Sequence, residues 1–359
     1  MARFIAFYLP QYYPIPENDK WYGKGFTEWT NVAKAKPLFK GDYQPHVPAD
    51  LGFYDMRLPE TLLSQVKLAN DYGVDGFCYW HYWFGNGRKL LAEPFDRLLQ
   101  EKDINIEFCL SWANGSWIAN KWSDSAGKQI VMEQLYPGKN DMIEHFYDVL
   151  PAFKDKRYIK VNGSPLFAIH EPLQVPDIEW MIKKWNELAE KEGIPSIYFV
   201  AKDRYCTNKK ALKELGFNSI YDMNILRVHN NQDFFTKARL KIQRRLFHLP
   251  TVYKYKDAAN KMLIDEDKED DVIPVIAPNW DHSPRSGSRQ VMFHDCKPQV
   301  FQDLVERTIE INSKKPEEKN IIIIQSWNEW GEGNHLEPDL KYGLGYLEAI
   351  KHAREKYKK

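Results

Sequence analysis

Short, almost uninterrupted apolar runs recur along the chain: Arg3 to Tyr8, Val74 to Trp80, Asn105 to Ser111, Pro165 to Ile169, Ser196 to Ala201, Asn218 to Asp222, Val272 to Ala277 and Asn320 to Gln325. Most are separated by segments whose apolar positions fall three or four apart, such as Leu62, Val66, Ala69 and Tyr72, or Ile178, Met181, Ile182, Trp185 and Leu188. The first pattern predicts strands buried on both faces, the second amphipathic helices packed over them. Eight such alternations predict an α/β protein, specifically a (β/α)8 TIM barrel. An open doubly wound sheet would want a Gly-rich phosphate loop after an early strand. Gly331-Glu332-Gly333 begins that pattern, but Leu336 occupies the third glycine position.

Two connections are too long to be plain loops. Residues 9–58 form a first βα loop rich in Pro, Gly, Tyr and Trp, and loops of that length in a compact domain are usually functional. Before the seventh strand, residues 227–271 read as a surface insertion. It holds a basic helical piece over 237–245, with Lys237, Arg239, Lys241, Arg244 and Arg245, then the acidic run Asp265 to Asp271. That basic piece is either a solvated face or a peripheral contact with an anionic membrane or polymer. With no internal repeat or low-complexity linker, residues 1–359 are expected to form one catalytic domain.

Composition narrows the function classes. The 359 residues carry 50 Lys+Arg and 50 Asp+Glu, so there is no global charge to draw nucleic acid. No apolar run approaches bilayer length, and Met1-Ala2-Arg3 leads into a stretch too short for a secretory leader. A cytoplasmic location is the expectation, or export if a leader was removed. Cys78, Cys109, Cys206 and Cys296 have no metal-ligand spacing and are expected to be reduced. Aromatic residues make up 14% of the chain, including 12 Trp and 20 Tyr, enough to line a cleft as well as fill a core.

In a barrel, catalytic groups belong at the carboxyl ends of the strands. Those ends carry Tyr8 and Gln11; Tyr79-Trp80-His81-Tyr82-Trp83; Trp112 and Asn114; Asp222; Trp280, Asp281 and Arg285; and Trp327-Asn328-Glu329-Trp330-Gly331-Glu332. Rings that pack on sugar C–H faces, mixed with groups that pair with hydroxyls, point to a glycan partner. The sharpest element is the pair Glu329 and Glu332, three residues apart and flanked by glycines that permit a tight turn. Glycosidic cleavage needs two carboxyl roles, and crowding two carboxylates raises the pKa of one.

The stretches Phe7 to Tyr13, Trp21 to Trp29, His46 to Tyr54, Gly76 to Trp83, Asn279 to Arg285 and Trp327 to Asp339 resemble the WbsX-type proteins of bacterial polysaccharide loci. That family is in turn similar to the family 99 glycoside hydrolases, the endo-α-mannosidases and endomannanases. The resemblance implies a (β/α)8 fold, no metal or other cofactor, and retention of anomeric configuration. It implies that Glu329 acts as base toward the substrate's own 2-hydroxyl, giving a 1,2-anhydro sugar, while Glu332 acts as acid and then base. Glu28, with Trp29 next to it, would bind the sugar beside Tyr8, Trp80, His81 and Trp112. One departure stands out: relatives commonly carry Trp-Ala-Asn-Glu-Asn-Trp after strand three, where this chain has Trp112-Ala113-Asn114-Gly115-Ser116-Trp117.

Three functions follow from these observations: a retaining glycoside hydrolase acting on an α-linked bacterial polysaccharide or oligosaccharide, a glycosyltransferase or transglycosylase of O-antigen or capsule assembly, and a glycan-binding barrel without catalysis.

Overall fold

The computed structural model describes residues 1–119, 129–247 and 249–358. Eight parallel segments form the barrel: β1 (Arg3–Tyr8), β2 (Gly76–Trp83), β3 (Glu107–Trp112), β4 (Ser164–Ile169), β5 (Tyr198–Lys202), β6 (Ser219–Tyr221), β7 (Val272–Ile273 and Val275–Ile276) and β8 (Ile321–Ile324). Each pairs with the next, and β8 returns to β1 in the register Arg3↔Ile321 to Ala6↔Ile324. The seventh strand is split at Pro274, which has no N–H to give. Its first half pairs with β6 and its second with β8, so the ring closes through the break. The Pro274 carbonyl still accepts from the Ile323 N–H at 3.0 Å.

The strands are apolar throughout because both faces are covered. Inside, residues such as Phe7 meet neighbours across the barrel; outside, helices including Pro59–Tyr72, Lys139–Phe153, Ile178–Lys191 and Pro298–Asn312 bury their apolar stripes. Cys78 and Cys109 sit opposite each other on β2 and β3, and all four cysteines are free thiols.

The long first loop is built into the site. It carries the helices Pro16–Tyr22 and Glu28–Lys34 and is stitched to the loop after β8, with Ala49 N–H to Pro338 O and Leu340 N–H to Val47 O, both at 2.9 Å. The stretch 227–271 divides into unlike parts. The helix Phe234–Phe247 is strongly exposed, whereas Thr251–Lys254 pairs in parallel with Val291–His294, and Tyr255–Met262 buries Tyr255, Ala258, Ala259 and Met262. The second part is wall, because its apolar residues at helical spacing have a core to face. Among the described residues no helix is long and apolar enough to cross a membrane.

Candidate active site

The strand ends open into a cleft of about 680 Å³. Its rings are Tyr22, Phe26, Trp80, Tyr82, Trp117 and Trp280, and its polar side chains include Gln11, Glu28, His170, His282, Arg285, Glu329 and Glu332. Trp80 lies flat on Phe7, with centroids 4.4 Å apart and planes 11° from parallel, which leaves the indole edge free to reach Glu329.

The loop after β8 presents the two carboxyls. Asn328–Glu329 pairs antiparallel with Asn334–His335 across the turn Trp330–Glu332. Gly333 closes that turn at φ +50°, where a Cβ would strike the Asp281 backbone oxygen at 2.8 Å. The loop is pinned from below: the Asn328 amide accepts from Leu9 N–H at 2.7 Å and donates to Leu9 O at 3.1 Å. The Tyr12 hydroxyl donates to Asn328 O and accepts from Trp330 N–H. Beneath lies Glu337, fully buried, accepting from Trp330 Nε1 and Gln65 Nε2 at 2.6 Å and from Tyr54 Oη at 2.9 Å. Burial pushes its carboxyl up to about 7 against those donors.

Glu329 accepts from Trp80 Nε1 at 2.6 Å and lies within hydrogen-bond reach of Glu332. Burial raises Glu329 well above the usual carboxylate range, and the charge of Glu332 raises it further. Burial acts in the same direction on Glu332. There, however, the Arg285 guanidinium, followed by His282 at 3.3 Å, outweighs it and holds the group well below that range. The two carboxyls are thus pushed in opposite directions, Glu329 up and Glu332 down. Arg285 also forks onto Glu28, Nε to Oε1 at 2.8 Å and Nη2 to Oε2 at 3.0 Å, and so joins residues 257 positions apart. This fork needs Gly331, where a Cβ would stand 1.9 Å from the Glu28 oxygen.

Of the residues expected from sequence to touch substrate, the cleft brings together Gln11, Glu28, Trp80, Tyr82, Trp280, Arg285, Glu329 and Glu332. The others fall elsewhere, and strand alternation accounts for many of them. On β2, Trp80 and Tyr82 face the cleft, while Tyr79 packs on Phe95, and His81 and Trp83 stack against His145 of the surrounding helices. Tyr8 likewise points outward, donating to Gln65 at 2.6 Å, and Trp112 donates to Trp83 O at 2.9 Å. Trp29 is buried with its Nε1 on Tyr54 O, and Trp327 is buried against Phe77. Asn114 clamps the Glu171 backbone, Asp222 is buried in an ion pair with Arg227, Asp281 is held by Gln44 and Ser283, and Asn328 serves the backbone clamp. These eleven side chains build the walls and supports; they offer no surface to the cleft.

The sequence reading assigned no substrate contact to His282, His170 or Glu337. His282 could have been found from its place one turn before Arg285 on the same short segment; Glu337 carries no local signal. The acidic run spells Asp-x-Asp at Asp265-Glu266-Asp267, but none of the three lines the cleft. His46, His335 and Asp339 place possible metal-ligating atoms within 4.8 Å of one another, also outside the cleft. A plain hydrogen bond accounts for the two imidazoles. His335 Nδ1–H donates to Glu337 O, leaving Nε2 to accept from His46 Nδ1 at 2.9 Å.

Fold and site define an α/β barrel with a carboxyl pair at an open, ring-lined cleft. Solved structures of similar fold include the family 99 endo-α-mannosidase of Bacteroides thetaiotaomicron, at TM-score 0.59 and 16% identity over 99% of this chain and 97% of that one. Another is a glycoside hydrolase-like protein, at TM-score 0.61 and 13% identity over 98% and 93%. The family model Glycosyltransferase WbsX matches residues 4–350, and the chain belongs to that family. It is 32% identical over 358 residues to the uncharacterised protein WxcX of Xanthomonas campestris pv. campestris (strain B100). The match takes in 98% of this chain and spans about half the length of that relative.

Proposed function

We propose that this barrel is a carbohydrate-active enzyme, a retaining glycoside hydrolase that cleaves an α-linked bacterial polysaccharide or oligosaccharide, with Glu329 and Glu332 as its catalytic residues. The observation that carries this reading is the carboxyl pair itself, two acids lining one ring-lined cleft, with the Trp80 indole on Glu329 and the Arg285 guanidinium on Glu332. That is the arrangement acid–base chemistry at a glycosidic bond requires. A sugar seated against Trp80, Tyr82 and Trp280 would draw Arg285 toward its hydroxyls. Glu332 would then lose the cation that keeps it ionised, and burial would favour its protonation. The proton on Glu329 passes along their shared hydrogen bond to Glu332, which gives it to the leaving oxygen. Glu329, now a carboxylate, accepts the proton of the sugar 2-hydroxyl as that oxygen closes on the anomeric carbon. Water then opens the anhydro ring, Glu332 taking a proton from the water while Glu329 returns its proton to the 2-oxygen, and transfer of a proton from Glu332 back to Glu329 restores the resting pair.

The family model's name favours a second reading, sugar transfer from an activated donor, and Arg285, Arg204 and His282 at the cleft would suit an anionic leaving group. The two readings part in one experiment. The protein is incubated with α-linked bacterial glycans alone, and with glycan plus nucleotide sugars, and products are followed by NMR. New reducing ends with retained configuration, formed without nucleotide and lost in Glu332→Gln, support hydrolysis. Product formed only with nucleotide sugar would reject it.

A further inference from the structure

The helix Phe234–Phe247 is the least buried apolar element described. Phe234 is 78% exposed, Phe235 82%, Ile242 55% and Leu246 68%. Phe235, Ala238, Ile242 and Leu246 follow one another by three, four and four residues, so they share one face of the helix. At 100° per residue Arg239 borders that stripe on one side, with Lys241 and Arg245 on the other. Lys237 and Arg244 lie beyond them. The helix is capped at its start, where Asp233 accepts from Thr236 N–H at 2.9 Å and Thr236 Oγ1 at 2.6 Å.

The basic residues keep their charge free. Among the described residues, Arg239, Lys241, Arg244 and Arg245 have no carboxylate partner. The acidic run of the same connection is engaged elsewhere: Asp271 with Lys209 at 2.6 Å and Lys213 at 3.2 Å, and Asp265 with Lys268 at 2.6 Å. In a chain with 50 positive and 50 negative residues, this is a local concentration of charge beside an exposed apolar face. A polyanion such as nucleic acid would use the charges but gain nothing from the bare Phe, Ile and Leu side chains. A bilayer interface uses both: the apolar face enters the headgroup boundary and the basic side chains reach back to lipid phosphates. At 14 residues the helix is about 21 Å long, suited to lie in that plane.

We propose that the helix Phe234–Phe247 docks this protein on anionic lipid bilayers. The docking element leaves the barrel through the same connection whose first residues, Met223, Ile225 and Leu226, line the cleft. This inference stands apart from the chemistry proposed for the cleft, since lipid binding is read without any glycan.

Flotation with vesicles of phosphatidylcholine containing 30–40% phosphatidylglycerol, against pure phosphatidylcholine, tests it. The full chain should float with the anionic vesicles, at least ~10-fold more than with neutral ones, and should be released by added salt. The Phe235→Glu/Leu246→Glu double variant and, separately, Arg239→Glu/Arg245→Glu should each lower binding at least ~10-fold while melting temperature and circular dichroism stay unchanged. Equal binding to both vesicles, or none to either, overturns the proposal. So does wild-type self-association in sedimentation that Phe235→Glu/Leu246→Glu abolishes without any vesicle binding, since the face would then be covered by a second copy. Single-stranded DNA binding as tight as vesicle binding and indifferent to that double variant also overturns it.

Discussion

Two polar networks share the loop after β8 and treat the same side chain in opposite ways. In the lower one Glu337 is surrounded by neutral donors, from Trp330, Gln65 and Tyr54, and burial prevails: its carboxyl is pushed up to about 7. In the upper one Glu332 is also withdrawn from water, yet a guanidinium lies against it and it is held well below the usual range. Hydrogen bonds alone do not keep a buried carboxylate charged here; a cation does. The difference also separates support from chemistry. The lower network is closed, every partner being protein. The upper one opens to the cleft, and its cation can be reclaimed by a ligand.

The largest expected effect comes from breaking the upper network at its centre. Arg285→Met leaves Glu28 and Glu332 without their cation, and removing one partner of a buried pair costs about 3–5 kcal/mol. Thermal melting should show that loss. Glu332 should also move up, carrying the acid limb of any kcat/KM profile to higher pH; an unmoved limb would show that Arg285 does not set this carboxyl. The lower network gives a signal of opposite sign. Glu337 is raised in the fold, so its contribution is present below the unfolded value near 4.5 and is lost as pH rises through about 7. Glu332 is depressed, so its contribution is present above about 4.5 and is lost as pH falls. Glu337→Gln should therefore flatten the fall in stability between pH 5 and 8, by about 3 kcal/mol at most, as read by denaturant melts at both pH values. The smallest effect is expected of Trp80→Phe, which keeps the ring on Phe7 and removes one donor to Glu329. Stability should drop by about 1 kcal/mol, and Glu329 should hold its proton to still higher pH, visible by carboxyl NMR.

How far the site could be read in advance differed by element. The acid pair and its glycines were legible because their chemistry is local: the carboxyls lie three residues apart, and Gly333 occupies a positive φ that favours glycine. The aromatic contacts were less so. A run such as Tyr79 to Trp83 announces a ring-rich strand end but not which alternate residues face inward. Phase is set by the pairing Cys78↔Cys109 and Tyr79↔Leu110, which turns Trp80 and Tyr82 to the cleft and Tyr79, His81 and Trp83 to the helices. In the insertion, apolar spacing alone could not tell the bare helix Phe234–Phe247 from the packed helix Tyr255–Met262.

By itself, then, the sequence determined the eight-strand barrel, the long loops and the two carboxyls at the last strand, because burial patterns and tight turns are written in neighbouring residues. Only the tertiary structure decided which carboxyl is raised and which is lowered. That choice depends on Arg285 reaching Glu28 and Glu332 at once and on Trp80 reaching Glu329, contacts between residues 47 to 257 positions apart. Electrostatic coupling acts over a few ångströms of space, and no spacing along the chain encodes which distant charges the fold will bring together.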